Sequence, residues 1–176
     1  MKKKIKLNVK KGIVFWVTGL SGVGKTTISK NLVSLVEKKY GKTILINGDD
    51  LRKIFELNKY DIKSRKKYVL QYSRLCKFVI NQKINVIMSV VGLFHHIHKW
   101  NRKNFDNYVE IYIKSSIDKI TRFDHRGIYK KKKVVGIDII KQIPKKPHIS
   151  IFNNFEKNQK YYAKKIFKEI NNILKK

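Results

Sequence analysis

Residues 19–27 read Gly-Leu-Ser-Gly-Val-Gly-Lys-Thr-Thr, and they follow the apolar run Ile13-Val14-Phe15-Trp16-Val17. A short run rich in β-branched and aromatic residues that ends in a glycine loop predicts a buried strand. Beyond the loop, Ile28, Leu32, Leu35 and Val36 recur at helical spacing until Gly41 stops the pattern. Strand, loop and helix thus frame Gly19-x4-Gly24-Lys25-Thr26, a complete Walker A pattern. The glycines let backbone N–H groups converge on phosphate oxygens, and the helix N-terminus adds its dipole. Lys25 is expected to neutralise the β and γ oxygens of ATP, and the Thr26 hydroxyl to ligate Mg²⁺. Gly19, Leu20, Ser21, Gly22, Val23, Gly24, Lys25, Thr26 and Thr27 are the expected donor-nucleotide contacts.

Outward from the loop, strands and helices alternate. Thr43–Asn47 (TILIN) reads as a second strand ending at Gly48-Asp49-Asp50, followed by a helical stretch through Leu51, Ile54 and Phe55. Ile62 to Gln82 carries Val69, Tyr72, Leu75, Cys76 and Val79 at helical spacing, a long amphipathic helix. Asn85–Val91 is a third buried strand, Trp100 and Phe105 lie in a further helical stretch, and Tyr108–Lys114 (YVEIYIK) alternates as a fourth strand. Ser116–Phe123 looks helical; His148–Phe152 is a fifth strand and Glu156–Leu174 a closing helix. Residues 125–136 are basic, glycine-bounded and aperiodic, which predicts a mobile loop. The expected fold class is α/β: a P-loop NTPase fold with a parallel five-stranded sheet flanked by helices and a short mobile lid at about 125–138. With 176 residues, two prolines and no linker-like stretch, residues 1–176 read as one kinase-sized domain.

Lys and Arg number 42 against 12 Asp and Glu, a formal charge of +30. The lysines are spread over nearly every segment, without a basic stripe interleaved with aromatics. Lys, Ile and Asn are abundant throughout, as in proteins from AT-rich genomes. No nucleic-acid partner is therefore expected, although the excess helps attract a polyanionic substrate. The single Cys76 forbids an intrachain disulfide and reads as core packing, as do Trp16 and Trp100. The N-terminal MKKKIKLNVKKGIVFWVTGLSG superficially resembles a signal peptide, but its apolar part runs straight into the phosphate loop. Cleavage there would destroy the loop, so a cytoplasmic start is expected, and no apolar run approaches a membrane span.

Asn47-Gly48-Asp49-Asp50-Leu51-Arg52 is the second informative stretch. A carboxylate at the end of the neighbouring strand sits near the γ-phosphate. It suits a ligand of Mg²⁺-bound water and an acceptor for a hydroxyl proton, the role expected of Asp49. Asp50 is expected only to cap the helix. Arg52, one turn on, is expected to hold an anionic group bidentately.

GLSGVGKTT with NGDDLR resembles the adenylylsulfate kinase family, whose pattern runs GLSGxGKST, DGDNxR, a helix arginine, a lid reading KGLYKKA and a GID segment. The lid counterpart is Arg126-Gly127-Ile128-Tyr129-Lys130-Lys131, followed by Val134-Val135-Gly136-Ile137-Asp138. The resemblance covers about residues 12–150 in one order. It implies transfer of the γ-phosphoryl of ATP to the ribose 3′-hydroxyl of a small nucleotide. By that match Asp49 falls on the catalytic aspartate, Arg52 and Arg65 on substrate-contacting arginines, and Tyr60 on a phenylalanine that stacks on the substrate base. Arg126, Tyr129 and Lys130 are implied to close over both nucleotides, with Ile137 at the lid's end. His95 falls where the family has a substrate-side arginine.

The departures lie on the acceptor side. Asn47 replaces the first aspartate of DGD, and the helix after Arg65 reads Lys66-Lys67-Tyr68-Val69-Leu70 without the family's Asn and Arg. The family's Ser-Pro-Tyr-Arg after the third strand gives way to Gly92-Leu93-Phe94-His95, and Val134-Val135-Gly136 stands where a lid phenylalanine is usual. A different acceptor is therefore expected. Trp100-Asn101-Arg102 and the short VVGID end resemble the cytidine diphosphoramidate kinase branch, which implies a cytidine acceptor in capsular phosphoramidate synthesis. The alternatives are adenylylsulfate itself, or a basic nucleic-acid-binding domain with a vestigial P-loop. His95, His96 and His98 are expected to be exposed helix-start residues, not a metal site, because no carboxylate lies nearby in sequence. Family members are often dimers, so a homodimer is the assembly implied, and no membrane partner is expected.

Overall fold

The computed structural model describes residues 4–124, 127–130 and 134–175. Val14–Thr18 (β2) is buried at every position, as its composition requires, and it forms the centre of a five-stranded parallel sheet. With Thr43–Asn47 (β3), Asn85–Val90 (β4), Tyr108–Lys114 (β5) and Ile149–Phe152 (β6), the strand order is β3-β4-β2-β5-β6. All neighbours are parallel, Val14 pairing with Val86 on one side and Tyr108 on the other. The chain leaves β2 to one side for β3 and β4, then to the other for β5 and β6. The loops therefore diverge at the carboxyl end of β2, where open α/β sheets bind ligands.

Side chains of β2 alternate between two cores. Phe15 and Val17 pack with Ile28, Leu32 and Val36 of helix Lys25–Tyr40 (α1) and Ile166 and Ile170 of helix Gln159–Ile173 (α6). Val14 and Trp16 face Val69, Tyr72, Cys76 and Ile80 of helix Ile62–Asn81 (α3) and Ile97 of helix His95–Asn104 (α4). Trp16 and Cys76 are fully buried, as packing residues should be, and burial pushes the Cys76 thiol up to about 12. Two shorter helices, Gly48–Ile54 (α2) and Ile117–Arg122 (α5), complete the layers.

Asp61, Ser116 and Asn158 cap α3, α5 and α6, each accepting a backbone N–H three residues on. Two asparagines that read as compositional bias instead satisfy buried backbone. Asn85 accepts from the Ile13 N–H and donates to the Tyr40 and Gly41 carbonyls; Asn107 bridges both backbone groups of Asn8.

Three details differ from the sequence reading. A two-residue strand Ile5–Lys6 (β1) pairs in parallel with Leu174–Lys175 (β7), a long-range pairing too short to leave a periodic signal. YVEIYIK alternates in sequence, yet six of its seven residues are buried, Glu110 included. Helices cover both faces of this sheet, so the polar position had to find partners inside. The described part of the expected loop at 125–136 carries local structure: Ile128–Lys130 forms a 3₁₀ turn, and Val134–Ile139 closes on itself through Gly136 N–H to the Ile139 carbonyl at 2.8 Å. Among the described residues no helix is long and apolar enough to cross a membrane.

Candidate active site

The phosphate loop is shaped by close backbone approaches. A Cβ on Gly19 would meet the Ile113 carbonyl oxygen at 2.2 Å, and Gly24 opens α1 at φ +88°, where a side chain would also crowd Asn153 and Gln159. Only glycine fits either position without strain. Lys25 is buried, and its Nζ donates to the Leu20 carbonyl at 2.7 Å, so the ammonium lies across the loop. Thr26 Oγ stands 3.4 Å from Ser89 Oγ at the end of β4.

The strand register brings the second constellation to the same edge. Asn47 is the partner of Ser89, and Ser89 in turn of Val17, so α2 begins two strands from the loop. Asp49 is exposed in its first turn. Asp50 does not cap the helix: the cap position belongs to Asn47, which makes no side-chain cap bond. Asn47 Nδ2 instead donates to Asp50 Oδ2 at 2.9 Å. The helix begins one turn earlier than expected because Gly48 already adopts helical backbone, which places Asp50 inside the first turn, where a negative charge suits the dipole. Asn47 for aspartate is thus matched by Asp50, and the negative charge moves from the strand end to the helix surface.

Arg52, Tyr60 and Arg65 are brought together. Arg52 Cζ lies 4.4 Å from the Tyr60 ring centroid, and Arg65 Cζ 5.3 Å from it. Arg65 Nε donates to the Tyr60 carbonyl at 2.7 Å. Burial, then the neighbouring Arg52, hold Arg65 below the ordinary guanidinium value. Two cations on one half-exposed ring make a concentrated positive site.

The lid residues divide. The Tyr129 hydroxyl donates to the Ser21 carbonyl at 2.9 Å, and its N–H to Asp124 Oδ2 at 2.7 Å. Burial, then the charge of Asp124, push the Tyr129 phenol up to about 12, so it remains a donor to the loop. Lys130 and Ile137 are exposed, and Arg126 lies outside the described residues, as do His125 and Lys131–Lys133. His95 is taken up by the segment after the lid: its N–H donates to Gln142 Oε1 at 2.8 Å, and its Nε2 lies 2.9 Å from the Ile143 carbonyl, which makes Nε2 the donor.

The histidines correct the expectation of three exposed side chains. His95 and His96 are exposed, but His98 is buried with its Nδ1 2.5 Å from Glu110 Oε1. The missing carboxylate comes from β5, twelve residues on, and no cluster that could hold a metal ion forms among the described residues. Arg102 Nη2 pairs with Glu110 Oε2 and also donates to the Lys146 carbonyl at 2.6 Å. Burial pushes the Glu110 carboxyl up, but His98 and Arg102 outweigh it and hold it below the usual carboxylate range.

Sequence reasoning missed Asn153. Fully buried beyond β6, it donates from Nδ2 to the Val23 carbonyl at 3.1 Å and holds the loop from the far side of the sheet. Its one signal was an amide following a strand whose carboxyl end joins the loop edge. Gly136 was also missed: at φ +98° it packs on Leu20, where a Cβ would meet Cδ2 at 2.7 Å.

Comparison with known proteins identifies the family and the fold. The family model described as adenylylsulphate kinase matches residues 11–152. The cytidine diphosphoramidate kinase of Campylobacter jejuni is 34% identical over 162 residues, 87% of this chain and 95% of that protein. The adenylyl-sulfate kinase of Pseudomonas aeruginosa is 28% identical over 147 residues, 78% of this chain and 75% of that one. The structure of the Mycobacterium tuberculosis APS kinase in complex with AMPPNP and APS superposes with a TM-score of 0.81 at 20% identity, covering 92% of this chain and 98% of that chain. A complete phosphate loop at the sheet's divergence point, joined to a match spanning most of the chain, makes this protein a P-loop phosphotransferase of the adenylylsulphate kinase family.

Proposed function

We propose that this enzyme transfers the γ-phosphoryl of ATP to the ribose 3′-hydroxyl of a small nucleotide, cytidine diphosphoramidate, in the cytoplasm, for capsular phosphoramidate synthesis. The observation that carries the reading is the match with the Campylobacter jejuni kinase over 95% of its length, together with an acceptor side that departs from the adenylylsulfate pattern.

Gly19–Thr27 would bind the donor phosphates, and Lys25 would move from the Leu20 carbonyl onto the β and γ oxygens. Asp49 would accept the proton of the attacking hydroxyl, while Arg52 and Arg65 hold the acceptor's anionic groups and Tyr60 its base. Arg126, Tyr129, Lys130, Ile137 and His95 complete the acceptor-side set. Thr26 and Asp49 would hold Mg²⁺. The fit is chemical: both offer hard oxygen donors, and the Oδ1 of Asn47, at the start of the helix that carries Asp49, is buried without a hydrogen-bond partner among the described residues. When bound, the ion neutralises charge on the transferring phosphoryl group.

An ADP-release assay with ATP and either cytidine diphosphoramidate or adenylylsulfate tests the assignment. A kcat/KM at least tenfold higher for the cytidine nucleotide is the expected result, and the reverse preference refutes it. In the same assay Asp49→Asn should lower turnover roughly 10²-fold or more, the scale of general-base catalysis, while ATP affinity stays within a few-fold. Near-wild-type turnover would remove Asp49 from the mechanism.

A further inference from the structure

The guanidinium of Arg52 is gripped on three sides. Its Nη1 donates to the Leu57 carbonyl at 2.6 Å and to the Lys59 carbonyl at 3.0 Å. One face meets Tyr60, and the Tyr68 ring centroid lies 5.2 Å from Cζ. Tyr68 is half-buried and packs on the core behind α3, so it is a rigid wall, whereas Tyr60 is 50% exposed. Arg52 Nε and Nη2 have no acceptor among the described residues. A guanidinium is a planar fork of five donors. Two carbonyls and two aromatic rings therefore fix its plane and leave one edge for bidentate contact with an anion.

We propose that Tyr68 is a positioning residue for acceptor binding: its ring holds Arg52 ready for a phosphoryl group while Tyr60 takes the base. The inference rests on the acceptor's being a nucleotide, as proposed above. A free arginine must give up rotamer freedom on binding, and a stacked one has already lost it. The ligand class is a nucleotide whose phosphoryl group lies beside its stacked base.

The test compares Tyr68→Phe, Tyr68→Ala and Arg52→Lys by initial rates with both acceptors, and by calorimetric titration with CDP and with adenylylsulfate. Tyr68→Ala and Arg52→Lys should each raise the acceptor KM roughly tenfold with the ATP KM unchanged, the scale of a partly desolvated cation–π contact. Tyr68→Phe should match wild type, because it keeps the ring, and Tyr68→Ala combined with Arg52→Lys should be no worse than either alone. Equal shifts in both KM values, no shift in Tyr68→Ala, or a Tyr68→Phe as impaired as Tyr68→Ala would each overturn the proposal. If wild type prefers adenylylsulfate, the cytidine assignment fails and the Tyr68 split is read on adenylylsulfate. If wild type turns over neither, the titrations decide: weaker binding to Tyr68→Ala supports the stack, and no binding even to wild type refutes it.

Discussion

Replacing Lys25 by Ala is expected to lower kcat about 10²–10³-fold, about 3–4 kcal/mol of activation free energy, with the fold retained. The side chain is 8% exposed and lies across the loop on the Leu20 carbonyl. Its ammonium is thus confined to a low-dielectric site next to where phosphate charge must develop. A preorganised charge there is worth more than in water and needs no reorganisation at the moment of reaction. Lys25→Arg should not restore the rate, because a planar fork cannot occupy the place of a compact point charge among glycine backbone atoms. Steady-state ADP release measures the effect, and thermal unfolding confirms that the variant folds. A Lys25→Ala enzyme within fivefold of wild type would contradict the assigned role.

Arg102→Ala is expected to destabilise the protein by about 3 kcal/mol, lowering Tm by roughly 6–12 °C. Glu110 is completely buried, and its two oxygens face His98 and Arg102. Removing one partner leaves a buried carboxylate half compensated. The figure is taken from the low end for broken buried pairs because the Arg102 side chain is 37% exposed and water can reach the gap. Adding Glu110→Gln to Arg102→Ala should recover part of the loss, since the uncompensated charge is then gone. Thermal denaturation of the two variants decides it; a Tm unchanged in Arg102→Ala would show the network to be energetically silent.

The same cluster makes stability pH-dependent. Glu110 lies below its ordinary value in the folded state, so unfolding takes up protons and its contribution is lost as pH falls below the ordinary 4.5. His148 accepts the Glu110 N–H at Nδ1 and is held below the ordinary 6.5, by burial first and then by Arg102. It is held neutral when folded and, like Glu110, takes up a proton on unfolding. Both signs agree: Tm should fall as pH drops through 6.5 and again below 4.5, measured by thermal scans at fixed ionic strength.

Arg102 also shows where a resemblance stops being informative. The Trp100-Asn101-Arg102 segment pointed to one branch of the family, but in the structure Trp100 packs edge-on against Phe105 and Arg102 turns to Glu110. Through the Lys146 carbonyl it fastens α4 to the segment that also receives His95.

Gly19–Thr27 and the apolar runs around it determined the fold and the place of the phosphate loop by themselves, because those features are local. A strand, a glycine turn and a helix N-terminus are contiguous, and their spacing alone aligns backbone N–H groups on phosphate. The clustering of Arg52, Tyr60 and Arg65 was nearly as accessible, since α2 and the start of α3 are adjacent in the chain. What only the tertiary structure decided are contacts between segments far apart in sequence. His98 found its carboxylate on β5, and Tyr129 reached Ser21 across 108 residues. Asn153 braced Val23 from 130 residues away. Burial cannot be read from local pattern when a sheet is covered on both faces: the polar position in YVEIYIK alternates like a solvated one and becomes the best-buried charge among the described residues.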